Sequence, residues 1–109
     1  MILNISPISI NKAFKGRRFR TLEHKKYVKD LLILLKRYKG IKPKNNYRIE
    51  IIFYFKNNLS DLSNYVKIFE DCIVKSKIVK DDRYCMEMLL IKKIDKKNER
   101  IEFKIEEIN

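Results

Sequence analysis

The chain is poor in the residues that interrupt regular structure: it has two glycines and two prolines among 109 residues. Long irregular segments are usually rich in both, so the sequence predicts few of them. The length fits one domain, and a hydrophobic content of 45% is enough to build a core, which excludes a disordered basic tail. We predict a single domain over residues 1–109, small enough that oligomerisation would help to stabilise it.

No apolar run is long enough to cross a bilayer. The longest, Leu31 to Leu35, is far shorter than the roughly 20 residues that a spanning helix needs. The N-terminus lacks a basic region followed by a long apolar one, which argues against a signal peptide. Cysteine is also rare. Cys72 and Cys85 stand in apolar surroundings without metal-ligand spacing, so we interpret both as reduced core residues of a cytoplasmic protein.

Positive charge is what the chain has in excess. Lys and Arg total 26 against 14 Asp and Glu, a formal charge of +12. Such a field attracts polyanions, so nucleic acid is the leading partner class. An anionic membrane is the competitor, but no long segment sets a bulky apolar face opposite a lysine-rich one. A genomic bias toward Lys, Asn and Ile would also raise the lysine count, whereas clustered arginine favours nucleic acid.

The densest cationic segment follows the first predicted strand and surrounds Gly16. Arginine forks suit bidentate contacts with phosphate, and the interleaved Phe14 and Phe19 could pack the loop down or stack on bases. A solvated basic loop is the alternative interpretation. We predict nucleic-acid contacts from Lys12, Lys15, Arg17, Arg18 and Arg20.

Hydrophobic periodicity predicts the order β-α-β-α-β-β, which indicates an α+β (α/β-like) fold with one mixed sheet layer and two helices. The predicted elements are a short strand ending near Ser6, a helix from Leu22 to about Lys39, a central strand from Asn46 to Phe55, a helix from Ser60 or Asp61 to about Lys77, and strands from Arg83 to Ile94 and from Arg100 to Ile108.

Local signals add detail to these elements. Thr21 is the predicted N-cap of the first helix, and either Ser60 or Asp61 caps the second. The central strand is apolar enough to be nearly buried on both faces. Residues 95–98 are typical of a hairpin turn between the last two strands. We interpret the sole histidine, His24, as a surface residue without a role.

A small acidic constellation interrupts the basic chain between Asp61 and Asp82, with Lys67 between them. Carboxylates are suitable ligands for Mg²⁺ or Mn²⁺. In a nuclease such an ion activates water and stabilises charge on phosphate, and a nearby lysine adds positive charge. Steps of 100° place Asp61, Asn64 and Asp71 on the polar side of the helix beside Lys67. On spacing alone, however, a capped helix followed by a polar turn is the commoner explanation.

The order of motifs is more informative than their spacing. The chain shows Asp61-Leu62-Ser63-Asn64, then Lys67, Asp71 and the pair Asp81-Asp82, and it begins with Pro7-Ile8-Ser9-Ile10-Asn11. This arrangement resembles the RusA family of Holliday-junction resolvases, endonucleases common in phages and prophages. That family's pattern is Pro-x-Ser-x-Asn near the start, a basic loop and a helix, then Asp-x-Asp-Asn, a Lys three residues later, a further acidic residue, and Asp-Asp before a strand.

The resemblance implies a RusA-like fold and a homodimeric, Mg²⁺- or Mn²⁺-dependent endonuclease that cuts four-way DNA junctions in recombination and repair. By position, Asp61 and Asp82 would be metal-binding catalytic carboxylates and Lys67 a catalytic cation. Asp71 and Asp81 are candidates for further metal ligands. Asn11 and Asn64 join the predicted nucleic-acid-binding residues.

One position departs from the family pattern: Ser63 stands where the second aspartate is expected. Asp71 or Asp81 could compensate, the site could bind metal weakly and still cut, or the protein could bind junctions without cutting. A basic structural or RNA-binding protein is the remaining alternative.

Chain geometry sets a second condition on the site. A straight helix from Asp61 to Lys77 would be roughly 25 Å long, whereas the five residues that end at Asp82 reach back at most roughly 17 Å. Either the helix is shorter or bent, or Asp82 joins Asp61 across a dimer interface.

Overall fold

A computed structural model describes residues 1–8, 14–15 and 19–108, with the backbone alone for residues 14–15 and 19–20. The described chain forms a mixed sheet with helices packed on one face. Its elements are β1 (Ile2–Leu3), β2 (Phe14–Lys15), β3 (Phe19–Arg20), α1 (Leu22–Leu35), β4 (Tyr47–Phe55), α2 (Ser63–Lys75), β5 (Cys85–Ile94) and β6 (Arg100–Glu107). This confirms the α+β class and the predicted helices and long strands.

The four-stranded sheet has the order β1-β6-β4-β5. β4 is central as predicted, parallel to β5 and antiparallel to β6. Its alternate residues Ile49, Ile51 and Phe53 are fully buried. On the other face Arg48, Glu50 and Ile52 are half-buried, whereas Tyr54 is buried. The expectation of near burial on both faces is wrong for the first three residues of that other face, because the helices cover only one face of the sheet.

The predicted hairpin between the last two strands is also wrong. β6 pairs with β4 and β1, so residues 95–98 carry the chain past the end of β4 to its opposite side. The backbone N–H of Asp95 donates to the Phe55 carbonyl over 2.8 Å, which ties this crossing turn to the end of β4. The apolar strand β4 thus hydrogen-bonds along both edges.

The crossing turn is held by side chains as well. The Asp95 carboxylate accepts a hydrogen bond from the backbone N–H of Lys97 and lies 2.8 Å from the Arg100 guanidinium. That guanidinium also lies over the Tyr54 ring, 3.6 Å from its centroid, and contacts Glu102. Arg100 therefore joins the turn to both β4 and β6.

Helix α1 begins where the sequence predicts. Thr21 Oγ1 accepts a hydrogen bond from the His24 backbone N–H over 3.2 Å, which confirms the N-cap. α1 ends at Leu35 and continues as a 3₁₀ turn, Lys36–Tyr38. The surface assignment of His24 is wrong, since its side chain is 4% exposed. It shares the helix face of Tyr27, Leu31 and Leu35, which is buried against the sheet.

Helix α2 packs through Phe69, whose ring meets those of Phe53 on β4 and Phe103 on β6 edge-on. Cys72 is buried in the same core and Cys85 is half-buried, in agreement with their interpretation as core residues. No helix in the described part of the chain is long and apolar enough to cross a membrane.

Candidate active site

Lys67 is the centre of the candidate site. Its Nζ lies 3.3 Å from Oδ1 of Asp71, one helical turn later, and 3.3 Å from Oδ2 of Asp82. The Asp71 carboxylate raises the pKa of Lys67 above its usual value, and the Asp82 carboxylate adds a smaller effect in the same direction. All three side chains are substantially exposed, so the site is open to a large ligand.

The end of α2 explains how Asp82 reaches Lys67. The helix stops at Lys75, and Lys77 adopts a left-handed conformation with φ of 65°. The backbone N–H groups of Ile78 and Val79 both donate to the Ile73 carbonyl, and these two side chains are buried. The helix is thus shorter than the straight element from Asp61 to Lys77, and the chain turns back early enough for Asp82 to contact Lys67 within one protomer.

Asp81 holds the turn that presents Asp82. Its Oδ1 accepts a hydrogen bond from the Arg83 backbone N–H over 3.0 Å and caps the 3₁₀ turn Asp82–Tyr84. This amide, and secondly a hydrogen bond with the Asp82 side chain, lower the pKa of the Asp81 carboxyl. Asp81 lies beside Asp82 and is already engaged by the backbone.

Glu70 is a further carboxylate at this site that sequence reasoning missed. It is half-buried, and burial raises the pKa of its carboxyl. Lys67 lowers that pKa, whereas the charges of Asp82 and Asp71 raise it further. Three residues along a helix correspond to a rotation of about 300°, so Glu70 flanks Lys67 on the side opposite Asp71. That helical position was the available sequence signal.

Asp61 lies outside this cluster. Its side chain is exposed, and no contact joins it to Lys67, Asp71 or Asp82 among the residues that the structure describes. The backbone carbonyl of Asp61 accepts a hydrogen bond from Asn64 over 3.1 Å.

The predicted side-chain cap of α2 is wrong. The helix begins at Ser63 after Leu62, which makes no side-chain cap hydrogen bond. The Ser60 hydroxyl instead accepts a hydrogen bond from Tyr65 Oη over 2.9 Å. Ser63 itself is exposed in the first turn.

The side chains around Lys67 fit a divalent cation in their chemistry, because carboxylate oxygens are the ligands that Mg²⁺ and Mn²⁺ prefer. Their arrangement differs from a finished metal centre: over residues 1–8 and 21–108, no three His, Cys, Asp or Glu side chains converge to hold an ion. The Lys67 ammonium lies where Asp71 and Asp82 approach each other, and Asp81 is turned to a backbone amide. The metal set of Asp61, Asp71, Asp81 and Asp82 stays a prediction.

The predicted DNA-contacting loop lies mostly outside the described residues, which include none of Asn11, Lys12, Arg17 and Arg18. Lys15 and Arg20 are described by backbone only, in the antiparallel pair β2–β3, where Lys15 is opposite Phe19 and Phe14 opposite Arg20. The contacts of all six residues with nucleic acid stay predictions.

Comparison with known protein families identifies the class of protein to which this chain belongs. A family of DNA-cutting enzymes matches residues 10–106, which is most of the chain. That family is endodeoxyribonuclease RusA, and the chain belongs to it. At the family level this means endonucleases that act on branched DNA and resolve Holliday junctions, generally with a divalent metal. A comparison with curated proteins returns no match.

Proposed function

We propose that this chain is itself an active junction endonuclease that hydrolyses phosphodiester bonds with Mg²⁺ or Mn²⁺. The observation that carries the proposal is the contact of Lys67 with both Asp71 and Asp82, on a helix and a returning turn of one protomer. Such a site combines anionic oxygens for a cation with a fixed positive charge for phosphate, on a strongly basic protein.

Asp82 and Asp71 would hold the ion, and Asp61 would complete the set from the same chain or from its partner. Asp81, beside Asp82, would be a further ligand. A divalent ion supplies Lewis acidity: it lowers the pKa of water and neutralises charge on phosphate. Lys67 would exchange one of its carboxylate contacts for a phosphate oxygen. Asp82 would also orient the attacking water, because its carboxylate lies at the exposed end of the 3₁₀ turn.

DNA binding would use the basic loop, Asn64 and the overall charge of +12. A four-way junction has two-fold symmetry, so paired nicks require two matched sites, and a homodimer supplies both. The dimer would also double the charge that faces the four arms. We place this activity in the cytoplasm of a bacterial cell, in recombination and repair, whether the protein is encoded by the bacterium or by a phage.

The second candidate is a junction-binding protein of the same family that does not cut. Two observations favour it: Ser63 occupies an expected aspartate position, and three carboxylates do not converge in the described residues. A basic RNA-binding or structural role is the third candidate, and it predicts equal affinity for junction, linear duplex and single-stranded RNA.

A synthetic four-way junction tests these candidates. We expect Mg²⁺-dependent incision that is lost in Asp82→Asn and retained in Asp30→Asn, a matched change on α1 away from the site. Tight junction binding without incision under any divalent metal would establish the second candidate. Because all candidates are basic, the salt dependence of affinity does not discriminate between them.

A mixing experiment locates Asp61. Lys67 and Asp82 meet within one protomer, but Asp61 could complete the site in the same chain or in its partner. Asp61→Asn and Asp82→Asn proteins are inactive alone in either arrangement. Recovery of incision on mixing would indicate a site shared between protomers, whereas no recovery would place Asp61 and Asp82 in the same one.

A further inference from the structure

β5 is a ten-residue edge strand with an apolar surface. One side pairs with β4, and within residues 1–8, 14–15 and 19–108 no strand pairs with the other. Four of its large apolar side chains are exposed: Met86, Met88, Leu89 and Ile94. Long exposed edge strands of this kind invite pairing with another strand. The edge therefore requires an explanation beyond the fold of one chain.

Two of the three charges of β5 are arranged symmetrically about Leu90. Glu87 lies three residues before it and Lys93 three residues after it, with Leu89 and Ile91 between them. An antiparallel pair of two β5 strands centred on Leu90 sets Glu87 opposite the partner's Lys93 and Leu89 opposite the partner's Ile91. Apart from Lys92, which donates to the Ser60 carbonyl of its own chain, the strand is thus self-complementary in both charge and apolar character.

The side-chain directions satisfy this pairing. Residues directly opposite each other in an antiparallel pair project from the same face of the sheet. Glu87 lies on the open face, where its carboxylate is 3.1 Å from the Arg48 guanidinium. Lys93 lies on that face too, with its Nζ 6.0 Å from the centroid of the Tyr54 ring. Each charge is therefore in position to meet the opposite charge of a second copy.

Neighbouring registers lose this match. Only registers that keep each side chain on its own face are allowed, so the symmetry axis moves one residue at a time. An axis at Leu89 sets Glu87 opposite the partner's Ile91, and an axis at Ile91 sets Lys93 opposite the partner's Leu89. Leu90 is the centre that pairs both charges and also keeps the apolar residues together.

We propose that two copies of this chain associate through their β5 strands, antiparallel about a two-fold axis at Leu90, to form one continuous sheet of eight strands. That the protein forms a dimer rests on the proposed function. The choice of β5 as the interface, and the strand register about Leu90, rest on the observations on β5 alone. The axis is perpendicular to the sheet, so both helical layers lie on the same face. The two Asp82 carboxylates then lie near opposite ends of the seam, since Asp82 lies three residues before the first residue of β5.

Reversing the charge at Glu87 or at Lys93, and then mixing the two variants, tests the proposed β5 interface. Glu87→Lys makes both charged positions basic and Lys93→Glu makes both acidic, so each variant should sediment as a monomer at concentrations where the wild-type chain is a dimer. An equimolar mixture should recover the dimer, because every Glu then faces a Lys. Circular dichroism confirms that each variant is folded, which matters for Glu87→Lys because it places a lysine beside Arg48.

Cysteine cross-linking tests the register independently. In a Cys85→Ser background, cysteine is placed singly at Met88, Leu89, Leu90 and Ile91. Opposite residues have Cα atoms about 4.5–5.5 Å apart, within disulfide reach, and flanking positions exceed the limit of about 7 Å. Under mild oxidation only Leu90→Cys should form a disulfide-linked dimer in high yield.

Three results would overturn the proposed β5 interface. They are a wild-type chain that is a monomer, single charge variants that remain dimers, and cross-linking at a position other than Leu90. A dimer cross-linked elsewhere would leave the nuclease proposal intact. A Leu90-centred dimer that never incises a junction would count against the nuclease proposal alone.

Discussion

The Lys67 ammonium lies 3.3 Å from Oδ2 of Asp82, a residue fifteen positions later in the chain. A straight helix would have kept them apart. They meet because α2 ends at Lys75 and the left-handed Lys77 turns the chain back along the helix. The contact gives the candidate site its basic and acidic groups in one protomer, and four consequences of the structure can be measured.

Replacing the lysine should lower both the incision rate and the Mg²⁺ concentration that incision requires. In Lys67→Gln the charge that would stabilise the transition state is lost, so we expect the incision rate to fall by about a hundredfold or more. The Mg²⁺ concentration for half-maximal incision should also fall, because Asp71 and Asp82 no longer share an ammonium. Lys67→Arg should retain part of the rate. Lys75→Gln, a change of an exposed lysine in the last turn of α2, is the control and should change neither quantity.

Restoring the expected carboxylate should strengthen metal binding. Ser63→Asp adds an anionic oxygen in the exposed first turn of α2, so we expect faster incision and a lower Mg²⁺ requirement. Ser63→Asn adds similar bulk without charge and should resemble the wild type. An aspartate there also favours the helix dipole by about 0.3–1 kcal/mol, so thermal unfolding must be recorded separately. Equal Mg²⁺ titrations for Asp and Asn would remove Ser63 from the metal site.

Glu70 should make stability depend on pH. Its folded pKa is raised by burial above the unfolded value of about 4.3, so its contribution to stability is present below that pH and is lost as pH rises through the folded pKa. Glu70→Gln should therefore be more stable than wild type at pH 7, by an amount that shrinks toward pH 4. Urea unfolding across this range measures the difference. Equal stability of Glu70→Gln and the wild type from pH 4 to pH 7 would contradict this role.

Arg100 should stabilise the crossing turn in a way that lysine cannot reproduce. Its guanidinium contacts Asp95 and Glu102 and stacks on Tyr54, geometry that depends on a planar fork. We expect Arg100→Lys to lower the melting temperature by a few degrees. Lys56→Gln breaks an exposed pair with Glu99 and should have little effect, because such pairs contribute about 0–1 kcal/mol. Equal melting temperatures for Arg100→Lys and the wild type would contradict this role.

The long elements were predictable because their patterns are strong. The alternation of Ile49, Ile51 and Phe53 identifies β4, and the repeat of Val28, Leu31 and Leu35 identifies α1. The same alternation does not state which edge of β4 a strand joins, so the hairpin prediction failed. His24 was misplaced because a polar residue in a first turn is usually exposed, whereas here the buried stripe of the helix begins with it.

The sequence predicted which residues belong to the candidate site better than it predicted how they are arranged. Lys67, Asp71 and Asp82 follow from the order of motifs, and the structure brings them together. Their distances depend on where α2 ends, which is decided by the burial of Ile78 and Val79 rather than by any signal near the charges. Glu70 has no motif of its own, and its helical position beside Lys67 was the available signal for it in the sequence.

The position of β6 also means that the sheet can be completed only after the last strand has been synthesised. This strand lies between β1 and β4, yet it follows every other strand of the sheet in chain order. While the ribosome is still making residues 100–107, the segment that carries Lys67 and Asp82 already exists, but one edge of β4 is bare and β1 has no neighbour. A nascent chain therefore has the residues of the candidate site before the sheet that supports them is complete.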